Sequence, residues 1–206
     1  MAAEIETIKC DFVNVFIISD GGCSILVDTG MEKNRYSLLK KAREKNVRLL
    51  VLTHCHPDHA ENAAYLSKEL NIPVAMGEGD VKLIKNQDAE KMIARDLIGK
   101  GILHSGGTIP EFIPSVLLKE GDSLLPYGVS ARIVELPGHT DGSIGIDVEG
   151  KYLIVGDALM NMMHPSLPHI YGDYDKMIDS ARKIEMLGER TIYFGHGRCV
   201  NNRKWA

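Results

Sequence analysis

No run of 18 apolar residues occurs in this 206-residue chain, so no membrane-spanning helix is expected. The first ten residues carry Glu4 and Glu6 and lack a basic start followed by an apolar stretch. No secretion signal is read there, and a cytoplasmic location is expected. Cysteine is scarce: Cys10, Cys23, Cys55 and Cys199 fit neither a CxxC motif nor a zinc ribbon. Each is expected to be a reduced thiol buried as a small hydrophobe. Basic charge is not in excess, with 24 Lys and Arg against 28 Asp and Glu and a formal charge of −4. A surface basic throughout is therefore excluded, and no nucleic-acid partner is expected. Low-complexity segments and short-period repeats are also absent. What is present is ordinary globular composition, 44% hydrophobic and 25% charged. The length suits a single domain over residues 1–206, with room for an insertion.

Strand-forming stretches come in pairs at both ends of the chain. Asp11 to Ser19 and Cys23 to Asp28 flank the turn Asp20-Gly21-Gly22, and Arg48 to Leu52 and Ile72 to Met76 follow as short strands. Helical spacing appears over Tyr36 to Asn46 and Asp58 to Leu70. Residues 77–114 read as a helical and loop insertion, helical over Gly79 to Gly101 and loop-like over Leu103 to Pro114, with His104 exposed. Strand signals return at Val116 to Leu118, Ser123 to Leu125, Val129 to Leu136, Ser143 to Val148 and Tyr152 to Val155. An amphipathic helix over Asp175 to Leu187 and a strand over Thr191 to Phe194 complete the pattern. Hairpins interrupt any simple βαβ repeat. The expected fold class is α/β, two mixed β-sheets with helices outside.

The chemistry concentrates in His54-Cys55-His56-Pro57-Asp58-His59. An extended segment points His54 and His56 one way and Cys55 the other. Asp58 and His59 then open the next helix, where a carboxylate suits the N-terminus. Three imidazoles and a carboxylate can thus face one volume, a donor set that suits zinc, iron or manganese rather than calcium. His139, Asp157 and His196 each follow a strand and a glycine, in Pro137-Gly138-His139, Gly156-Asp157-Ala158 and Gly195-His196-Gly197. Five of the eight histidines occupy such positions. His164, His169, Tyr171, Met160, Met162 and Met163 lie in the loop after Asp157, and read as a self-packed loop with gap-filling methionines. Asp122 and Asp141 read as turn residues.

This HxHxDH motif, followed in order by His139, Asp157 and His196, resembles the metallo-β-lactamase superfamily of metal-dependent hydrolases. The resemblance runs from Leu26-Val27-Asp28-Thr29-Gly30 to Gly195-His196-Gly197. It implies an αββα sandwich of two mixed β-sheets with helices on both outer faces. It also implies a centre for two divalent metal ions, expected to be zinc, with manganese or iron as alternatives. His54, His56 and His139 would hold the first ion; Asp58, His59 and His196 the second; Asp157 both. Asp58 would further orient the attacking hydroxide and carry a proton to the leaving group. Metallo-β-lactamases proper lack the bridging aspartate. The pattern is closer to thioester hydrolases of the glyoxalase II type, acyl-homoserine lactonases and phosphodiesterases. His56, where flavodiiron proteins carry Glu, separates the chain from those. Only ten residues, Gly197 to Ala206, follow His196, so the C-terminal helical domain of glyoxalase II is not expected. Many relatives read DHxGG where this chain reads Asp58-His59-Ala60-Glu61-Asn62.

The leading expectation is a small-molecule hydrolase acting on an ester, thioester, lactone or phosphodiester. One alternative is a mononuclear iron persulfide dioxygenase, holding its ion through His54, His139 and Asp157. Another is a non-catalytic metal-binding module. The sequence leaves the oligomeric state open.

Overall fold

The computed structural model describes residues 2–103 and 107–206. His104, read as exposed, lies outside the described residues. Strands β1 (Glu4–Cys10) and β2 (Val13–Asp20) form an antiparallel hairpin, and β2 turns into β3 (Cys23–Val27). Helix α1 (Arg35–Glu44) leads to β4 (Val47–Val51), parallel to β3. Helices α2 (Pro57–Ala60) and α3 (Ala63–Leu70) lead to β5 (Val74–Gly77), parallel to β4. The chain then runs through α4 (Val81–Lys85), β6 (Ile93–Ala94) and α5 (Leu97–Ile102) before returning as β7 (Val116–Leu118), parallel to β5. The resulting six-stranded sheet has the order β1-β2-β3-β4-β5-β7. Strands β8 (Ala131–Glu135), β9 (Ile144–Val148) and β10 (Tyr152–Ile154) form an antiparallel meander. Strand β11 (Ile170–Tyr171) leaves it to pair with β6. Helix α6 (Tyr174–Met186) then feeds β12 (Thr191–Tyr193), parallel to β10, and β13 (Val200–Asn201) closes a five-stranded sheet, β13-β12-β10-β9-β8.

Three apolar clusters make this a four-layer sandwich. Alternation along β2 sends Phe16 and Ile18 to one face and Val15 and Ile17 to the other. Phe16, Ile18, Val27 and Val51 meet Ile133, Ile146 and Ile154 between the two sheets. Ile17, Leu26 and Leu50 pack outward against Leu38 and Ala42 of α1 and Leu66 of α3. Leu153, Val155 and Ile192 pack outward against Ala181 and Ile184 of α6. Helices therefore cover the outer face of each sheet, and strands such as β2 are buried on both faces, which is why they read as unbroken apolar runs. Phe16 is fully buried between the sheets. Phe16→Ala is expected to lower unfolding free energy by about 3–5 kcal/mol, read from urea denaturation.

The structure corrects several expectations. β1 was not read as a strand: it is an edge strand whose Glu4 and Lys9 face solvent, so its apolar signal is weak. The helix expected over Asp58 to Leu70 is broken at Glu61-Asn62, between α2 and α3. There Asn62 donates from Nδ2 to the carbonyls of Thr29 and Met31 (2.9 and 2.7 Å), and Glu61 accepts from Glu32 N (2.8 Å). The departure from DHxGG thus ties the ligand loop to the end of β3. Gly79 to Gly101 is not one helix. Asn86 and Asp96 each cap a new turn with their side chains, and Ile93 is drawn into the pair with β11. Ser123 to Leu125 forms a single bridge, Ser123 to Arg132, followed by a 3-10 turn. Cys10 and Cys55 are buried as expected, and burial pushes both thiols up, Cys10 to about 11. Cys23 is half-buried and Cys199 exposed, contrary to expectation. Among the described residues no helix is long and apolar enough to cross a membrane.

Candidate metal centre

Four strand ends converge at one end of the sandwich. His54 follows β4 of the first sheet; His139, Asp157 and His196 follow β8, β10 and β12 of the second. The sheets are laced together here: Asn14 of β2 donates to the carbonyls of Phe194 and Gly197 (2.7 and 2.8 Å), and Ile144 N donates to Thr53 O (2.8 Å). Pro57 occupies the first turn of α2, where its missing N–H costs no hydrogen bond. The short helix then turns Asp58 and His59 inward. Cys55 points into the outer core, as the alternation requires.

All seven expected ligands come together. Their nitrogens and oxygens form three overlapping groups, each within 4.8 Å: His54, His56 and His139; His54, His59 and Asp157; Asp58, His59 and His196. His139 Nε2 lies 3.0 Å from His56 Nδ1. His59 Nε2 lies 3.5 Å from Asp157 Oδ1 and 3.6 Å from Asp58 Oδ2. His196 Nε2 lies 3.3 Å from both Asp58 Oδ2 and Asp157 Oδ2.

Outer partners set which nitrogen each ring presents. His139 Nδ1 donates to Ile170 O (2.9 Å), and His196 Nδ1 to Phe12 O (2.8 Å). His59 Nδ1 donates to Asp28 Oδ2 (2.9 Å). Thr53 donates its hydroxyl to Asp28 and so accepts from His54 Nδ1 (3.1 Å). Four rings thereby turn Nε2 inward, as metal-binding histidines do. Sequence reasoning missed Asp28 and Thr53 in this role. Asp28 follows a strand and precedes Thr29-Gly30, a setting close to that of the other site residues.

The donors fit a metal. His54 Nε2, His59 Nε2 and Asp157 Oδ1 are buried and have no hydrogen-bond partner among the described residues. Buried polar atoms rarely stand alone, and these three face one another. Electrostatics divides the centre. Burial and neighbouring imidazoles hold His54 and His139 below the usual histidine range and push His56 down to about 3, so these rings are neutral donors. On the other side burial opposes charge on His59, yet Asp58, Asp157 and Asp28 raise it to about 9. Burial likewise opposes charge on His196, but Asp157 and Asp58 carry it well above its ordinary value. Burial disfavours the Asp58 carboxylate, but His59 and His196 pull it down to about 2. Asp157 is held well below the carboxylate range by the same two rings against its burial.

Gly195 makes the crowding possible. A Cβ there would sit 2.3 Å from Asp157 Oδ1 and 2.7 Å from His59 Cε1. Gly195→Ala is expected to displace both ligands and lower kcat/KM by about a hundredfold, with loss of bound metal measured on the same sample.

The other loop residues do not join the centre. His169 is buried and pairs with Asp96 (2.7 Å), and Met160 is buried, while His164, Met162 and Met163 are exposed. Tyr171 belongs to β11. Asp122 holds its turn by accepting from Lys119 N, and Asp141 joins Lys82 and Lys176 in ion pairs of 2.7 and 2.9 Å.

Comparisons with known proteins agree with this fold. The family model of the metallo-beta-lactamase superfamily matches residues 8–196. A probable metallo-hydrolase of Methanocaldococcus jannaschii is 33% identical over 188 residues, covering 86% of this chain and 84% of the relative. Hydroxyacylglutathione hydrolase 1 of Vibrio vulnificus is 26% identical over 198 residues; 93% of this chain matches 65% of that protein. Among solved structures, TTHA1623 in a di-iron-bound form shares the fold with a TM-score of 0.74 at 24% identity, with 98% of each chain covered. The four-layer α/β sandwich with clustered histidines and aspartates is that of a metal-dependent hydrolase. The chain belongs to the metallo-beta-lactamase superfamily.

Proposed function

We propose that the chain is a two-ion hydrolase, with zinc at both positions, that cleaves a small-molecule ester, thioester, lactone or phosphodiester. The observation that carries this reading is the convergence of seven candidate ligands, three of which hold a buried donor atom with no partner among the described residues. A single ion held by His54, His139 and Asp157 would leave His59, His196 and Asp58 facing the same volume unused. His54, His56 and His139 would hold one ion, and Asp58, His59 and His196 the other. Asp157 would serve both, since its Oδ1 faces His59 and its Oδ2 faces His196 and His139.

Two ions in such a site supply Lewis acidity toward the substrate's oxygen and an acidified water as nucleophile. The protein does the rest. Asp157 is 5% exposed and lies between the two halves, whereas the Asp58 side chain is 25% exposed. Asp58 is a carboxylate at neutral pH. Its carboxylate would orient the attacking water, accept its proton and return it to the leaving group. His54, His56 and His139 are neutral and keep the first half of the centre ready to bind without losing protons. Likeness to a hydroxyacylglutathione hydrolase supports a thioester as the first substrate to try. The test is a panel of thioesters, lactones and phosphodiesters with zinc-loaded protein. Cleavage of one class, abolished by chelation and restored by zinc, supports the reading. No cleavage of any class, together with iron-dependent oxygen uptake on a persulfide, overturns it.

A further inference from the structure

Asp80 is a fully buried carboxylate that the proposed chemistry does not use. It stands just beyond β5, outside every ligand motif. Its Oδ2 accepts from Cys55 N (2.8 Å), the amide between His54 and His56. The same oxygen accepts from Thr140 Oγ1 (2.8 Å), next to His139. Its Oδ1 accepts from Gly142 N (2.6 Å). Three donors from two loops, one following each sheet, thus end on one side chain. The backbone before it is pressed against the His139 loop: a Cβ on Gly77 would meet Gly142 O at 2.2 Å, and one on Gly79 would meet Asp141 C at 2.7 Å. Lys82 and Glu90 grip the same loop from outside, through the Asp141 carboxylate (2.7 Å) and the Asp141 amide (3.0 Å). Only a carboxylate satisfies all three inner donors. An amide of the same shape must turn an NH2 toward either Cys55 N or Gly142 N, donor against donor.

We propose that Asp80 is a positioning residue for the three-histidine half of the centre, setting the distance between the loop that carries His54 and His56 and the loop that carries His139. This rests on the two-ion reading. The other half depends on different anchors, Asp28 for His59 and Phe12 O for His196, so loss of Asp80 loosens one half only.

The test is zinc titration of the metal-stripped full-length chain, wild type against Asp80→Asn, with the cobalt(II) spectrum as a second readout. Wild type takes up two ions. Asp80→Asn keeps one at wild-type affinity and binds the other about tenfold or more weakly, with the cobalt spectrum altered only at that step. Thr140→Val removes one of the three donors without removing the carboxylate. It shifts the same ion in the same direction by less, and decides the matter if Asp80→Asn does not fold. Two unchanged affinities in Asp80→Asn overturn the proposal. So does an equal loss at both steps with a lowered melting temperature of the metal-free protein, the mark of a merely structural role. A wild type that takes up fewer than two ions fails at an earlier point: it sinks the two-ion reading and this proposal with it.

Discussion

Asp157→Asn will lower kcat/KM by at least about 10³-fold while leaving the fold in place. The substitution keeps the shape of a side chain only 5% exposed, so packing changes little. What it removes is the one carboxylate that faces both halves of the centre. Asp157 Oδ1 is directed at His59, and Oδ2 at His196 and, at 3.9 Å, His139. An amide there offers one neutral oxygen, and its NH2 group confronts rings that present lone pairs to a metal. The expected outcome is one ion lost as well as the activity, with the circular dichroism spectrum of the metal-free protein close to wild type. Activity within tenfold of wild type would show that the two halves do not depend on a shared carboxylate.

Zinc binding at pH 7 will release protons from the chain and will strengthen as pH rises toward 9. The protons come from His59, raised to about 9, and His196, raised well above its usual value, both of which must be neutral to bind metal. The three-histidine half contributes none, since burial holds those rings neutral. Titration calorimetry in buffers of different ionisation enthalpy measures the proton count. Zero protons would contradict the electrostatic division of the centre. The same shifts fix how the metal-free protein responds to pH. His59 is raised in the folded state, so its contribution to stability is complete below its ordinary 6.5 and is lost as pH rises through about 9. Asp58 is lowered, so its contribution is present above 3.8 and is lost as pH falls through about 2. The metal-free melting temperature should therefore fall between pH 7 and pH 9.

The candidate metal-binding residues were legible in the sequence because they gather at four strand ends. His54 to His59 form one motif, and His139, Asp157 and His196 each carry a glycine before them. Strands β2, β3 and β4, buried on both faces or nearly so, announce themselves as apolar runs. What stayed hidden acts across long separations. Asp80 reaches residues 25 and 60 positions away, and nothing local marks it as different from the acidic surface residues around it. Asp28 showed its strand-end setting but not its two imidazole dependants. β11 has only two residues and gains meaning through β6 and through Ile170 O on His139. The segment after Gly79 read as helix because its apolar residues are suitably spaced, but the capping side chains of Asn86 and Asp96 divide it. Local side-chain hydrogen bonds overrode the periodicity.

The most direct test of the two-ion centre is metal content by inductively coupled plasma mass spectrometry, on protein purified without added metal and again after chelation and zinc reloading. The account predicts about two zinc ions per chain, lost together with hydrolysis on chelation and regained together on reloading. A single iron per chain, retained on purification and coupled to oxygen uptake without hydrolysis, would contradict it.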